Sequence, residues 1–175
     1  MSKRMKKREK FEVEMPSRKA PLLPLSENQQ DLMESIRTNA VTVTTGYPGT
    51  GKTYVPTVMA ADYFMEREID KIILTRPNEA SGRPIGHRPG TMIEKMMEWF
   101  AEQISILNDR MGPAAVEIAI KRGQIEIVPF ETMRGRSFNG AFVLLDEAQN
   151  TTPDQMKMFM TRIGAGSIVT VNGDI

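Results

Sequence analysis

The chain has 175 residues, 40% of them apolar and 26% charged, which fits one soluble globular domain with a core of ordinary size. Lys and Arg number 23 against 22 Asp and Glu, so net charge points to neither a nucleic-acid nor an acidic partner. Cysteine is absent, which excludes disulfides, thiolate metal sites and cysteine nucleophiles and fits a reducing cytoplasm.

In chain order, residues 1–24 read as a tail: a basic run from Lys3 to Lys10 with the single acid Glu9, then Pro16, Pro21 and Pro24. A solvated tail and a phosphate-backbone contact are its two readings. The segment that follows the basic run is too polar for a signal-peptide core, and no apolar run nears the roughly 18 residues of a membrane span, so a cytoplasmic protein is expected. Residues 25–175 form the predicted domain. Ser26 is placed to cap a helix carrying Leu25, Leu32, Met33 and Ile36 at helical spacing. "AVTVTT" (40–45) predicts a buried strand, and a helix follows from Gly51 to about Arg67. Pro56 removes a donor just beyond its first turn, at a cost of about 3 kcal/mol, so a bend or loosened turn is expected there. "KIILTRP" (71–77) is the second strand. A Gly/Pro-rich loop (78–90) leads to a long amphipathic helix over Thr91–Arg110, and a further helix spans Pro113–Lys121. Strands are predicted at 125–130, 141–147 and 167–174, with a helix over 152–163 between the last two.

Strands alternating with helices predict an α/β fold, a parallel sheet covered on both faces. Ligands of such sheets collect at the carboxyl ends of the strands. Gly46, Arg76, Asp146 and Asp174 each close a predicted strand and are therefore expected along one edge.

The stretch from Gly46 through Tyr47, Pro48, Gly49, Thr50 and Gly51 to Lys52 and Thr53 matches G-x-x-x-x-G-K-[ST] in full. Its glycines let backbone N–H groups face phosphate oxygens, the following helix adds its positive end, Lys52 reaches the terminal phosphates and Thr53 offers a hydroxyl to Mg²⁺. Asp146 closes the most apolar strand, where its carboxylate can hold that metal, and Glu147 beside it can polarise a water. Asn172 and Asp174 suit a sensor of the terminal phosphate, or a plain Asn-Gly-Asp turn. Gln29 carries an amide that can read adenine, yet alone is an ordinary helical glutamine. Arg76 faces phosphate or nucleic acid, or closes a salt bridge; Arg134 and Arg136 reach a neighbour's nucleotide or a nucleic-acid backbone, or are solvated. Thr151 with Asp154, or Thr152 with Pro153, caps the helix that follows.

"GYPGTGKTY", "LTRP", "RGRSF" and "LLDEAQNTTPDQMKMFMTRIG" together closely resemble the PhoH-like family of phosphate-starvation-associated P-loop proteins, over residues 25–174. That family is similar to the core of superfamily 1 helicases. The resemblance implies a P-loop NTPase of RecA/helicase-like architecture that takes ATP and Mg²⁺, with Gln29 on adenine and Asp146 to Gln149 as a "DEAQ" box in which Gln149 joins the sensors. It also implies RNA or single-stranded DNA as a work substrate and a homo-oligomeric ring. The sequence departs from the family pattern at Pro56, at Arg83, His87 and Arg88, and in stopping at Ile175, where a C-terminal truncation is expected. His87, the one histidine, has no Cys or second His with which to build a zinc site. The methionines at 92, 96, 97, 156, 158 and 160 and Trp99 read as core or interface fillers.

Three functions remain in view. The first is a helicase-like Mg²⁺-dependent ATPase. The second is an ATP-binding switch or assembly module with little turnover. A small-molecule kinase is the weakest, because an acid directly after Asp146 suits water activation better than transfer to an acceptor.

Overall fold

Two rows of apolar side chains, alternating along each strand, decide the architecture. Ile72, Leu74, Phe142 and Leu144 enter one buried cluster; Ile73, Ala141, Val143, Leu145, Val169 and Val171 enter another on the opposite face. The computed structural model describes residues 19–77 and 97–175. They form α1 (Glu27–Thr38), β1 (Val41–Gly46), α2 (Tyr54–Met65), β2 (Lys71–Thr75), α3 (Ala101–Met111), α4 (Pro113–Lys121), β3 (Ile125–Ile127), β4 (Ala141–Leu145), α5 (Pro153–Met160) and β5 (Ile168–Asp174). The five strands are all parallel, in the order β1-β5-β4-β2-β3.

The first cluster is roofed by Leu32, Met33 and Ile36 of α1, Val55 and Met59 of α2, Leu107 and Met111 of α3, and Val116 of α4. The second is covered by α5 through Phe159, its one buried residue, which stacks on Phe130 at 5.7 Å between centroids. Helix α2 follows β1 on one face and α5 follows β4 on the other, so a crevice opens between them at the strands' carboxyl ends. Among the described residues β1 pairs only with β5, and Val43 on it is 68% exposed.

Several boundaries shift from the sequence expectation. Leu25 does not join the apolar face of α1: it is 90% exposed, because Ser26 caps the helix by accepting the Gln29 N–H and so leaves Leu25 outside. The helix after the glycine loop begins at Tyr54 rather than Gly51. Pro56 is buried in its first turn, where Val55 donates to the Gly51 carbonyl and Thr57 to that of Thr53, so the loosening is confined to the bond proline cannot make. The third strand stops at Ile127, two residues before Pro129 opens a 3₁₀ turn. Thr152, not Thr151, caps α5: its hydroxyl accepts from Gln155 N–H while the Gln155 side chain accepts from Thr152 N–H, a complete capping box. The basic run 3–10, the loop bearing Arg83, His87 and Arg88, and Met92 and Met96 lie outside the described residues.

Because Phe159 is the one fully buried residue of α5, with Met156, Met158 and Met160 packed only partly against the same cluster, Phe159→Ala should cost about 3–5 kcal/mol. Urea unfolding of the two proteins checks this, read as a lowered midpoint at similar slope.

Candidate functional site

The glycine loop leaves β1 at Gly46 and turns back into α2, with the Thr50 hydroxyl donating to the Tyr47 carbonyl at 2.9 Å. Gly49 and Gly51 adopt φ of +79° and +88°, where a side chain strains the backbone. A Cβ on Gly51 would also stand 2.8 Å from Nε2 of Gln29. Gln29 lies across the loop: Nε2 donates to the Thr50 carbonyl at 3.0 Å and Oε1 accepts from Leu25 N–H at 2.9 Å. One amide hydrogen and one lone pair of Gln29 are left for another partner. Lys52, 9% exposed, donates from Nζ to the Tyr47 carbonyl at 3.0 Å and pairs with Asp174 Oδ1 at 2.5 Å.

The acids arrive from β4. The ladder runs one residue past Leu145, because Asp146 N–H donates to the Thr75 carbonyl of β2. Asp146 Oδ1 accepts from the Thr53 hydroxyl at 3.4 Å and from Glu147 N–H at 3.2 Å; Oδ2 accepts from Gln103 Nε2 at 2.8 Å. Burial pushes this carboxyl above its ordinary range, and the neighbouring charge of Glu147 adds to the effect; the Glu147 N–H and Arg76 work against it. Glu147 itself takes a left-handed backbone, φ 56°, and its Oε2 accepts from Gln149 Nε2 at 2.7 Å. Gln149 Oε1 in turn accepts from Asp174 N–H at 3.0 Å. Lys52, Asp174, Gln149 and Glu147 thus form one continuous chain of polar contacts across the end of β5. Asn172, on the same strand, is 1% exposed, and neither atom of its amide has a hydrogen-bond partner among the described residues.

Arg76 follows β2 and borders the acid pair, whereas Arg134 and Arg136 fall elsewhere. Arg76 stacks over Trp99, 5.4 Å from its ring centroid, and Nη1 lies 3.5 Å from the Trp99 carbonyl; its charge is felt by Asp146. Arg136 is held by Glu126 of β3 and lies over Phe138. Since β3 is the edge strand opposite β1, four gaps of roughly 4.8 Å place it about 19 Å from the glycine-loop strand. Arg134 is exposed, beside Gly135. Neither Arg134 nor Arg136 joins the cluster around Lys52. Thr151 donates to the Ala148 carbonyl and shapes the turn after Glu147.

Among the described residues no group of three or more His, Cys, Asp and Glu is arranged to enclose a metal ion. Mg²⁺ is held by one or two protein ligands, with waters and phosphate completing its shell. Thr53 and Asp146, whose oxygens lie 3.4 Å apart, supply that kind of pair.

Gln103 was not singled out from the sequence. It occupies a core-facing position of α3 in step with Phe100, Leu107 and Met111, all buried, and a polar residue in an apolar stripe is the signal that marks it.

A parallel sheet flanked by helices, with a phosphate-type glycine loop after one strand and an acid pair after another, defines a P-loop NTPase-like α/β fold. The family model described as PhoH-like protein matches residues 21–175, and the chain belongs to that family. It is 41% identical over 152 residues to a PhoH-like protein of Mycobacterium tuberculosis, covering 87% of this chain and 43% of the relative. It is 39% identical over 158 residues to Protein PhoH of Escherichia coli (89% and 45%) and 42% identical over 147 residues to a PhoH-like protein of Bacillus subtilis (84% and 46%). The chain therefore spans under half the length of these relatives. Among the described residues no helix is long and apolar enough to cross a membrane.

The raised carboxyl of Asp146 has a consequence for stability. The folded protein holds that proton more tightly than the unfolded chain, so ionising Asp146 costs stability. The cost is absent below the unfolded carboxyl range, about pH 4, and complete once pH exceeds the raised folded value. In metal-free buffer Asp146→Asn should melt above wild type at pH 7, and the two melting curves should converge as pH falls towards that range.

Proposed function

We propose that this chain binds ATP with Mg²⁺ and hydrolyses it by helicase-like chemistry. One observation carries the reading: Lys52 and the Asp146–Glu147 pair meet at one sheet edge, connected through Asp174 and Gln149. In this reading the loop from Gly46 to Thr53 holds the phosphates through its backbone N–H groups. Lys52 draws charge off the terminal phosphates, while Gln29 offers its remaining donor and acceptor to adenine. Thr53 and Asp146 would hold Mg²⁺, which when bound neutralises charge developing on the transferred phosphoryl group. Glu147 accepts a proton from the attacking water, and Gln149, Asn172 and Asp174 report the presence of the γ-phosphate. RNA or single-stranded DNA is the proposed work substrate, with exposed Arg134 available to its backbone, and the family's similarity to the helicase core supports this step; a homo-oligomeric ring is proposed from the family resemblance, and a cytoplasmic location from the cysteine-free sequence.

A second reading, a nucleotide-dependent switch with little turnover, takes the same contacts as a resting state. The Glu147 carboxylate is engaged by Gln149, and the Lys52 ammonium by Asp174. Isothermal titration with ATP and Mg²⁺, followed by phosphate release with and without RNA, separates the two. For the enzyme, Glu147→Gln keeps nucleotide binding and loses about 10²–10⁴-fold in turnover. For the switch, wild type binds tightly and releases no phosphate under either condition. Lys52→Ala should lose nucleotide affinity in both cases, and unchanged affinity would remove the site itself.

A further inference from the structure

We infer that Gln103 positions the metal-holding carboxylate of Asp146 with one end of its amide and, with the other, accepts a hydrogen bond from a water in the shell of a divalent cation. The inference rests on the Mg²⁺–nucleotide reading above and extends it to a residue of α3.

Gln103 is 4% exposed and stands where α3 presents its buried stripe to α2 and the sheet. An apolar residue would fill that position at no polar cost. A buried amide atom left without a partner costs about 1–3 kcal/mol. Only half of that cost is offset here. Nε2 donates to Asp146 Oδ2 at 2.8 Å, while Oε1 is buried and has no hydrogen-bond partner among the described residues. Packing alone therefore does not account for a glutamine at this position.

The two ends of the amide suit different tasks. The Nε2 bond fixes the rotation of the Asp146 carboxylate: Oδ2 turns towards α3 and Oδ1 towards the Thr53 hydroxyl. Waters bound to a divalent cation donate their hydrogens outward and need acceptors around them. Oε1 belongs to the same amide that touches Asp146, so an acceptor stands at the edge of the metal pair. An amide oxygen accepts without adding charge. That matters beside Asp146 and Glu147, where the second acid already raises the carboxyl of the first and Glu102 adds to the same field. A carboxylate at position 103 would serve as acceptor too, but would crowd a third negative charge into the same place. The ligand class is thus a hydrated divalent cation of the Mg²⁺ type.

The experiment is a Mg²⁺ titration of a fluorescent ATP analogue on the full chain, paired with nucleotide binding and thermal melting in EDTA. Gln103→Met, close in length and apolar, should raise the Mg²⁺ midpoint about 10–100-fold. Its metal-free nucleotide affinity should match wild type, and a cooperative melting curve in EDTA should show that it is folded. An unmoved midpoint in a folded Gln103→Met protein overturns the inference, as does a parallel loss of metal-free affinity, which would place the effect in the loop rather than at the metal. If Gln103→Met does not fold, Gln103→Leu, apolar and shorter, decides, and an unmoved midpoint there overturns it. Failure of the underlying reading looks different: wild type itself then binds no nucleotide at any Mg²⁺ concentration.

Discussion

The site exists because β5 lies between β1 and β4 and runs the same way as both. Parallel pairing with that register sets Gly46 opposite Asp174 and Leu145 opposite Val171. The glycine loop and the acid pair are more than ninety residues apart in sequence, as Thr53 and Asp146 show, yet they end two strands apart at a common edge. An antiparallel β5 would send Asp174 to the far end of the sheet and leave Lys52 facing an empty crevice. Helix placement follows from the same pairing. With α2 on one face and α5 on the other, the crevice stays open where the strands stop, and backbone donors that the sheet does not use remain available there.

Within that crevice the polar groups are connected rather than merely close. Lys52 touches Asp174 through its side chain, Asp174 touches Gln149 through its backbone, and Gln149 touches Glu147. A phosphate drawn to Lys52 competes with Asp174 for the ammonium, and any movement of Asp174 is felt by the side chain that holds Glu147. The two readings of function differ in whether Glu147 then acts on water or only changes partner.

Much of this is legible in the sequence. The apolar runs in "KIILT" and "AFVLL" read as buried strands, the alternation of strands with helices predicted a parallel sheet, and the glycine loop and acid pair carried their own chemistry, so the shared edge followed from parallel topology. Boundaries were less legible, because they depend on hydrogen bonds rather than composition. Leu25 has the right spacing for α1 but lies before its cap, and the strand over 125–130 gave way where Pro129 cannot donate. The two arginines around Gly135 look alike in sequence; Glu126 claims Arg136, while Arg134 stays exposed. On α3 the apolar stripe marks Gln103 as core-facing but says nothing of its partner. The contact between Gln103 and Asp146 joins elements more than forty positions apart in the chain, and no local pattern encodes it.

The left-handed backbone at Glu147 sets a trade at this one position. Residues with a Cβ are disfavoured there by about 1–2 kcal/mol relative to glycine, so a chain selected for robustness alone would carry glycine after Asp146. Under the proposed hydrolytic role of Glu147, heat tolerance and chemistry pull position 147 in opposite directions, and screens ranking variants by melting temperature alone would favour its replacement.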